Sequence, residues 1–155
     1  MSYKGLYEAK NPRKYKGDYK SIVYRSLWER KFMVYCDTSD SIIEWRSEEI
    51  IIPYLSPWDG RIHRYFPDFY IKVQQYDGSS KKYIIEVKPK KQCKPPTPPE
   101  SKKKTKRWKK DMRAWGINSA KWKYATEWCE KNGMEFKILN EDHLGIKYKR
   151  GSPAI

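Results

Sequence analysis

Residues 61–88 hold two runs of alternating apolar residues on either side of a tight turn, and this hairpin constrains the rest of the chain. In RIHRYFPDFYIKV, residues 61–73, Phe69, Ile71 and Val73 alternate on one face, which predicts a strand. QQYDGSS follows, with Asp77-Gly78 at the tip of a hairpin turn. KKYIIEVKPK then reads as a second strand. Tyr83, Ile85 and Val87 share one face, and Ile84, Glu86 and Lys88 share the other. Glu86 is therefore a carboxylate inside an apolar β-run, which is costly unless it is paired or bound to a cation.

The flanking pattern is helical before the hairpin and after it. In residues 21–37, Trp28, Phe32, Tyr35 and Cys36 fall at helical spacing, predicting a helix that ends near Asp37. Two β-rich bursts follow, around residues 42–45 and 49–54, with Pro53 marking an edge or strand end. After Pro89, four prolines at 95, 96, 98 and 99 exclude regular structure and predict a surface crossing. A basic helix is expected toward Trp115. Asn118 looks like the N-cap of a further helix, with Gly133 as its stop. Residues 134–139 read as a last short strand. The order predicts an α/β domain with a central mixed β-sheet flanked by helices. Residues 1–20 are expected to be a basic N-terminal arm with little core. Residues 21–145 are expected to form the domain, with the Pro/Lys-rich crossing at 89–107, and residues 146–155 to be a loose tail.

Charge limits the partners. The chain carries 34 Lys and Arg against 19 Asp and Glu, a formal +15. Fourteen of the basic residues lie between Lys88 and Lys123, against two acids there, Glu100 and Asp111. Such a stretch fits a polyanion, nucleic acid first, with affinity that falls as salt rises. Lys90, Lys91, Lys102, Lys103, Lys104, Lys106, Arg107, Lys109, Lys110 and Lys121 are the candidate DNA contacts; a solvated lysine face is the simpler alternative for them. Trp108 and Trp115 lie in the same stretch and could stack on bases. Aromatics at 15% argue against pure disorder. No run of about 18 apolar residues exists to span a membrane. The first twenty residues lack the apolar segment of a signal peptide. Three scattered cysteines, with no CxxC pair, do not make a structural zinc site.

The predicted hairpin gathers chemistry at one end. Asp68 projects opposite the face of Phe69, and folding the strands together brings it beside Glu86, with Lys88 two residues further on. Two close carboxylates repel unless something neutralises them. A hard divalent cation does so. Mg²⁺, with Mn²⁺ able to substitute, takes one or two carboxylates with water and phosphate oxygens. Asp68 and Glu86 are thus candidate metal ligands and catalytic residues, and Lys88 is a candidate for orienting water. His63 is expected to be structural, and Glu48 and Glu49 to lie at the surface or behind the site.

Pro67-Asp68 … Glu86-Val87-Lys88, preceded by a helix and followed by a helix and a strand, resembles the PD-(D/E)xK nuclease superfamily. The resemblance implies a restriction-endonuclease-like core and a metal-dependent deoxyribonuclease. Glu29, in YRSLWERKF, matches the place where that family adds a first-helix glutamate, implying a further catalytic and metal-binding role. Lys121 matches a polar group of the family's second helix. The stretches YRSLWERKF, IIEWRSEEIIIPY, HRYFPDFYIK, IIEVKPKKQCKPP and NSAKWKYATEWCEKNGMEFKILNED resemble the head-completion nucleases of T-even-like tailed phages, over residues 1–145. The layout is also similar to the nuclease subunit of certain transposases. What the resemblance implies is a role in finishing the DNA-filled head, in the infected cell's cytoplasm or in the virion, with head, portal or neck proteins as partners; the basic stretch is expected to hold DNA with little sequence reading, because phosphate contacts position and base contacts specify. A structural DNA-binding protein of the portal vertex and a transposition or repair nuclease are the alternatives.

Overall fold

The computed structural model describes residues 4–101 and 103–145. The expected N-terminal arm packs onto the domain. Strand β1 (Gly5–Leu6) pairs antiparallel with β2 (Val23–Tyr24). Tyr7 and Tyr15 are buried in the main core. The cause is Asp37, a fully buried carboxylate that accepts the Tyr7 hydroxyl at 2.6 Å and the backbone N–H groups of Lys10 at 2.7 Å and Asn11 at 2.9 Å. A buried charge needs such donors, and here it takes them from the arm. Tyr15 also stands edge-on to Trp45, with ring centroids 4.7 Å apart.

Helix α1 spans Leu27–Thr38, with Ser26 as its N-cap accepting the Glu29 N–H at 3.1 Å. Its start lies later than the periodicity implies, because residues 23–24 are engaged in β2. Phe32, Met33 and Cys36 form its buried face. Tyr35, expected on that face, is 51% exposed.

Strands β3 (Ile42–Ser47), β4 (Ile52–Leu55), β5 (Ile62–Tyr65), β6 (Phe69–Gln74) and β7 (Ser80–Val87) follow. The segment expected as one strand over 61–73 is thus two. Pro67 offers no N–H to a ladder and stands between them. β5 turns back on β4, with Pro53 opposite Arg64, as a separate two-stranded hairpin. β6 and β7 pair antiparallel as expected, and Gly78 takes a positive φ of 85° at the turn.

Helix α2 runs unbroken over Lys106–Lys131, where two helices meeting near Asn118 were expected. Thr105 caps it by accepting the Trp108 N–H at 3.1 Å. Gly116 and Asn118 are weak helix formers, costing about 1 kcal/mol or less each. Packing of Ile117, Ala120, Trp122, Ala125 and Trp128 against the β4–β5 hairpin overrides that preference. Gly133, at φ 69°, ends the turn after α2. Strand β8 (Met134–Leu139) then lies parallel to β7, and α3 (Glu141–Leu144) follows. The tail expected at 146–155 lies outside the described residues.

The main sheet has the order β3-β6-β7-β8, antiparallel except for β7–β8. α1 covers one face through Phe32, Met33 and Cys36 against Trp45, Phe69, Ile71 and Ile85. α2 covers the other through Cys129 and Trp128 against Tyr70, Ile84 and Phe136. The alternation read from 83–87 therefore divides the strand between two cores, as α/β layering requires.

Candidate active site

The site forms where β6 begins and β7 ends. Phe69 pairs with Ile85, so Asp68 and Glu86 stand one step beyond that pair, side by side. Asp68 Oδ2 accepts the Val87 N–H at 2.7 Å, which pins its carboxylate against the end of β7. Glu86 is only 7% exposed. The Tyr65 hydroxyl, at the end of β5, donates to Glu86 Oε1 at 2.6 Å. Lys88 Nζ lies 3.9 Å from Glu86 Oε2. The Lys88 N–H continues the ladder to Leu139 O at 2.9 Å, so the backbone under the site is held by β8.

Two further side chains approach from the helices. Lys121 of α2 places Nζ 5.5 Å from the Tyr65 ring centre and 5.8 Å from that of Tyr54. Glu29, near the start of α1, is half-buried. Its Oε1 accepts the Arg25 N–H at 3.3 Å. Its Oε2 is 3.5 Å from Ser26 Oγ.

The charges of the site do not balance locally. Burial pushes the Asp68 carboxyl up to about 8, and the Glu86 and Glu29 charges push the same way, against the Val87 N–H and Lys88. Burial also raises Glu86, while Tyr65, Lys88 and Lys121 oppose that rise. Glu29 is raised by burial and by the charge of Glu48. Lys121 is lowered by burial and by its neighbour Lys88, although Glu86 and Asp68 hold it up. Among the described residues, no three His, Cys, Asp or Glu side chains form a closed metal cage. Two hard carboxylates with an open side are instead the donor set that suits Mg²⁺ or Mn²⁺, which keep water and phosphate in their remaining positions.

The structure thus brings Asp68, Glu86 and Lys88 together, with Lys121 and Glu29 near enough for their charges to act on the acids. One participant carried no sequence signal: Tyr65, since a hydroxyl three residues before Asp68 looks like any strand tyrosine. Glu48, expected at the surface or behind the site, lies behind Asp68. It takes φ 53°, rare for a residue with a side chain, its N–H donates to Asp68 O at 3.0 Å, and its carboxylate pairs with Arg25. Strain of this kind costs about 1–3 kcal/mol and collects at functional sites. His63 is engaged by Asp59 at 2.7 Å.

The basic residues are spread along the molecule. Lys106, Arg107, Lys109 and Lys110 are exposed on the first turns of α2, and Lys103 and Lys104 precede them. Lys106 lies fifteen residues before Lys121, about 22 Å along the helix axis. Lys91 is exposed. Lys90 is already occupied, its Nζ paired with Asp142 and its N–H with Glu141 Oε1 at 2.6 Å. Lys102 lies outside the described residues.

Residues 39–141 match the family described as TnsA-like endonuclease N terminal. The chain belongs to that family. The TnsA-like match takes in β3 to β8, and with them Asp68, Glu86, Lys88 and Lys121, but not Glu29. This TnsA-like chain is also 41% identical, over 146 residues, to the head completion nuclease of Enterobacteria phage T4, covering 93% of this chain and 95% of that protein. The α/β fold with a mixed sheet between helices, expected from the sequence, is the fold of this TnsA-like nuclease domain.

Proposed function

We propose that this protein is a divalent-metal-dependent DNA endonuclease that hydrolyses phosphodiesters during head completion of a tailed phage. The observation that carries the reading is the Asp68–Glu86 pair, a partly buried and a buried carboxylate fixed side by side, with Lys88 at 3.9 Å from Glu86. Paired acids drawn out of water are an expense that a binding module does not need.

Asp68 and Glu86 would hold the cation, with Glu29 helping directly or through water. Bound Mg²⁺, or Mn²⁺ in its place, supplies positive charge against the phosphate and acidifies water. Tyr65 fixes the Glu86 carboxylate so that Oε2 stays turned toward Lys88. Lys88 orients the attacking water for in-line displacement and offsets charge on the phosphate. Lys121, lowered by burial, is suited to hold or move a proton beside Glu86. The exposed cations of 103–110 hold the DNA backbone without reading sequence, because phosphate contacts position and base contacts specify.

One such site cuts one strand, so a double-strand break needs two visits or two copies. The place of action on this reading is the cytoplasm of the infected cell, on packaged or packaging DNA, with head, portal or neck proteins as partners. Among the described residues, no helix is long and apolar enough to cross a membrane.

The test is incubation of the purified protein with supercoiled and linear DNA, in Mg²⁺ or in chelator, beside Glu86→Ala and Lys88→Ala. Metal-dependent cutting that both variants lose is the expected result. Tight DNA binding with no cutting in Mg²⁺ or Mn²⁺ would overturn the reading in favour of a structural DNA-binding protein.

A further inference from the structure

The proline crossing and the first half of α2 enclose a cavity of about 600 Å³ that the chemistry above does not use. Pro95, Pro96 and Pro99 form one wall, and Trp108, Asp111 and Trp115 stand on the other. Lys91, Lys94 and Arg107 also line it. Cations alone would describe a phosphate site, but an acid and two indoles do not belong to one. Aromatic planes stack on bases of any sequence. A carboxylate accepts hydrogen bonds from base amino groups, as from cytosine N4.

The cavity is aligned with the catalytic acids. Asp111, Ala114, Asn118 and Lys121 follow one another at helical spacing, so they form a single stripe on α2. The first three line the cavity, and Lys121 stands over Tyr65, which holds Glu86. Asn118 is only about 5 Å along the axis from Lys121, and Asp111 about 15 Å. A strand leaving the acids along this stripe therefore meets the cavity within a few nucleotides. A paired base cannot enter, because its edge and both faces are taken up in the duplex.

We propose that this cavity takes an unpaired nucleobase of the DNA strand being cut, a few nucleotides from the scissile phosphate. DNA with unpaired positions, such as overhangs, frayed ends or branches, is then the preferred substrate over intact duplex. The identity of that strand rests on the nuclease reading; the capture of a base does not.

The experiment is an abasic scan. Full-length protein is titrated, in chelator, with a duplex bearing a single-stranded overhang, and each overhang position is made abasic in turn. An abasic nucleotide keeps its phosphate, so a phosphate track gives a flat profile. The expected profile has one or two positions that lose roughly five-fold or more in affinity, the lower range of base stacking on an aromatic. Trp108→Ala and Asp111→Ala should each flatten it while their melting temperatures stay near that of the unaltered protein. Asp111 is exposed, so its variant carries the test if Trp108→Ala misfolds. A flat profile in the unaltered protein, or a profile that Asp111→Ala leaves intact, would overturn the proposal. Parallel reactions in Mg²⁺ separate the two readings. Cutting with a flat profile removes the base site and keeps the nuclease, and a peaked profile without cutting does the reverse.

Discussion

The Tyr65 hydroxyl and Glu86 Oε1 are 2.6 Å apart, and they join the β4–β5 hairpin to the end of β7 at the point where the two acids meet. This bond sets which Glu86 oxygen is free. Oε1 is used by Tyr65, and Oε2 faces Lys88.

Tyr65→Phe should therefore disturb metal binding more than fold. A hydrogen bond to a charged group contributes about 1.5–3 kcal/mol, and urea unfolding should show a loss within that range. Tyr65 also holds down the pKa of Glu86. Without it the carboxyl rises further, so protons compete better with the cation. The Mg²⁺ midpoint for cutting should move to higher concentration at pH 7 and recover in part as pH rises. A midpoint that does not move with pH would mean that Tyr65 only packs.

Asp68 predicts a pH dependence of stability in the metal-free protein. Its folded pKa, about 8, lies above the ordinary carboxylate value. The folded state then binds a proton that the unfolded state releases, so stability is present in acid and lost as pH rises through about 8. In chelator, the melting temperature should fall between pH 5 and 8 (about the interval separating the two pKa values). Asp68→Asn should remove most of that fall, and added Mg²⁺ should reverse it, since the cation stabilises the ionised pair. A melting temperature that rises over this interval would contradict the assignment.

The sequence carried the hairpin, the division of β7 between two faces, and the Asp68–Glu86–Lys88 grouping, because each follows from a period of two and a turn of known type. It did not carry the continuity of α2. Gly116 and Asn118 read locally as a break, and what keeps the helix whole is the distant β4–β5 hairpin against Ile117, Trp122 and Ala125. Nor did it carry the docking of the arm, since nothing near Asp37 in the sequence says which backbone N–H groups its carboxylate will bind. Tyr65 was hidden for the same reason. Partners 21 residues apart are joined by topology and not by pattern.

Asp37 makes that hidden link testable. Asp37→Ala leaves the Tyr7 hydroxyl and the N–H groups of Lys10 and Asn11 without their acceptor. The buried Tyr7 hydroxyl left unsatisfied costs about 1–3 kcal/mol, and water can reach the partly buried Lys10 and Asn11 N–H groups, so a loss of about 1–3 kcal/mol is expected in urea unfolding. Limited proteolysis should then cut within the first 20 residues faster than in the unaltered protein. Equal cleavage rates would mean that the Tyr7 and Tyr15 rings alone hold the segment.

Salt dependence distinguishes the phosphate track from a merely solvated face. Lys106, Lys109 and Lys110 are exposed on the first turns of α2 and lie about 16–22 Å along the axis from Lys121, so they can be changed without touching the acids. Alanine favours helix, so the triple alanine variant should keep its fold. Each phosphate neutralised contributes about 0.9 to the slope of log affinity against log salt. If all three lysines contact backbone, the slope should flatten by about 2 to 3, with weaker binding that is uniform across DNA sequences. Cutting at saturating DNA should be kept, because the loss is in holding the strand and not in the chemistry. A slope that the three changes leave as it was would show that these cations face solvent, and that the strand is held by residues nearer to Glu86.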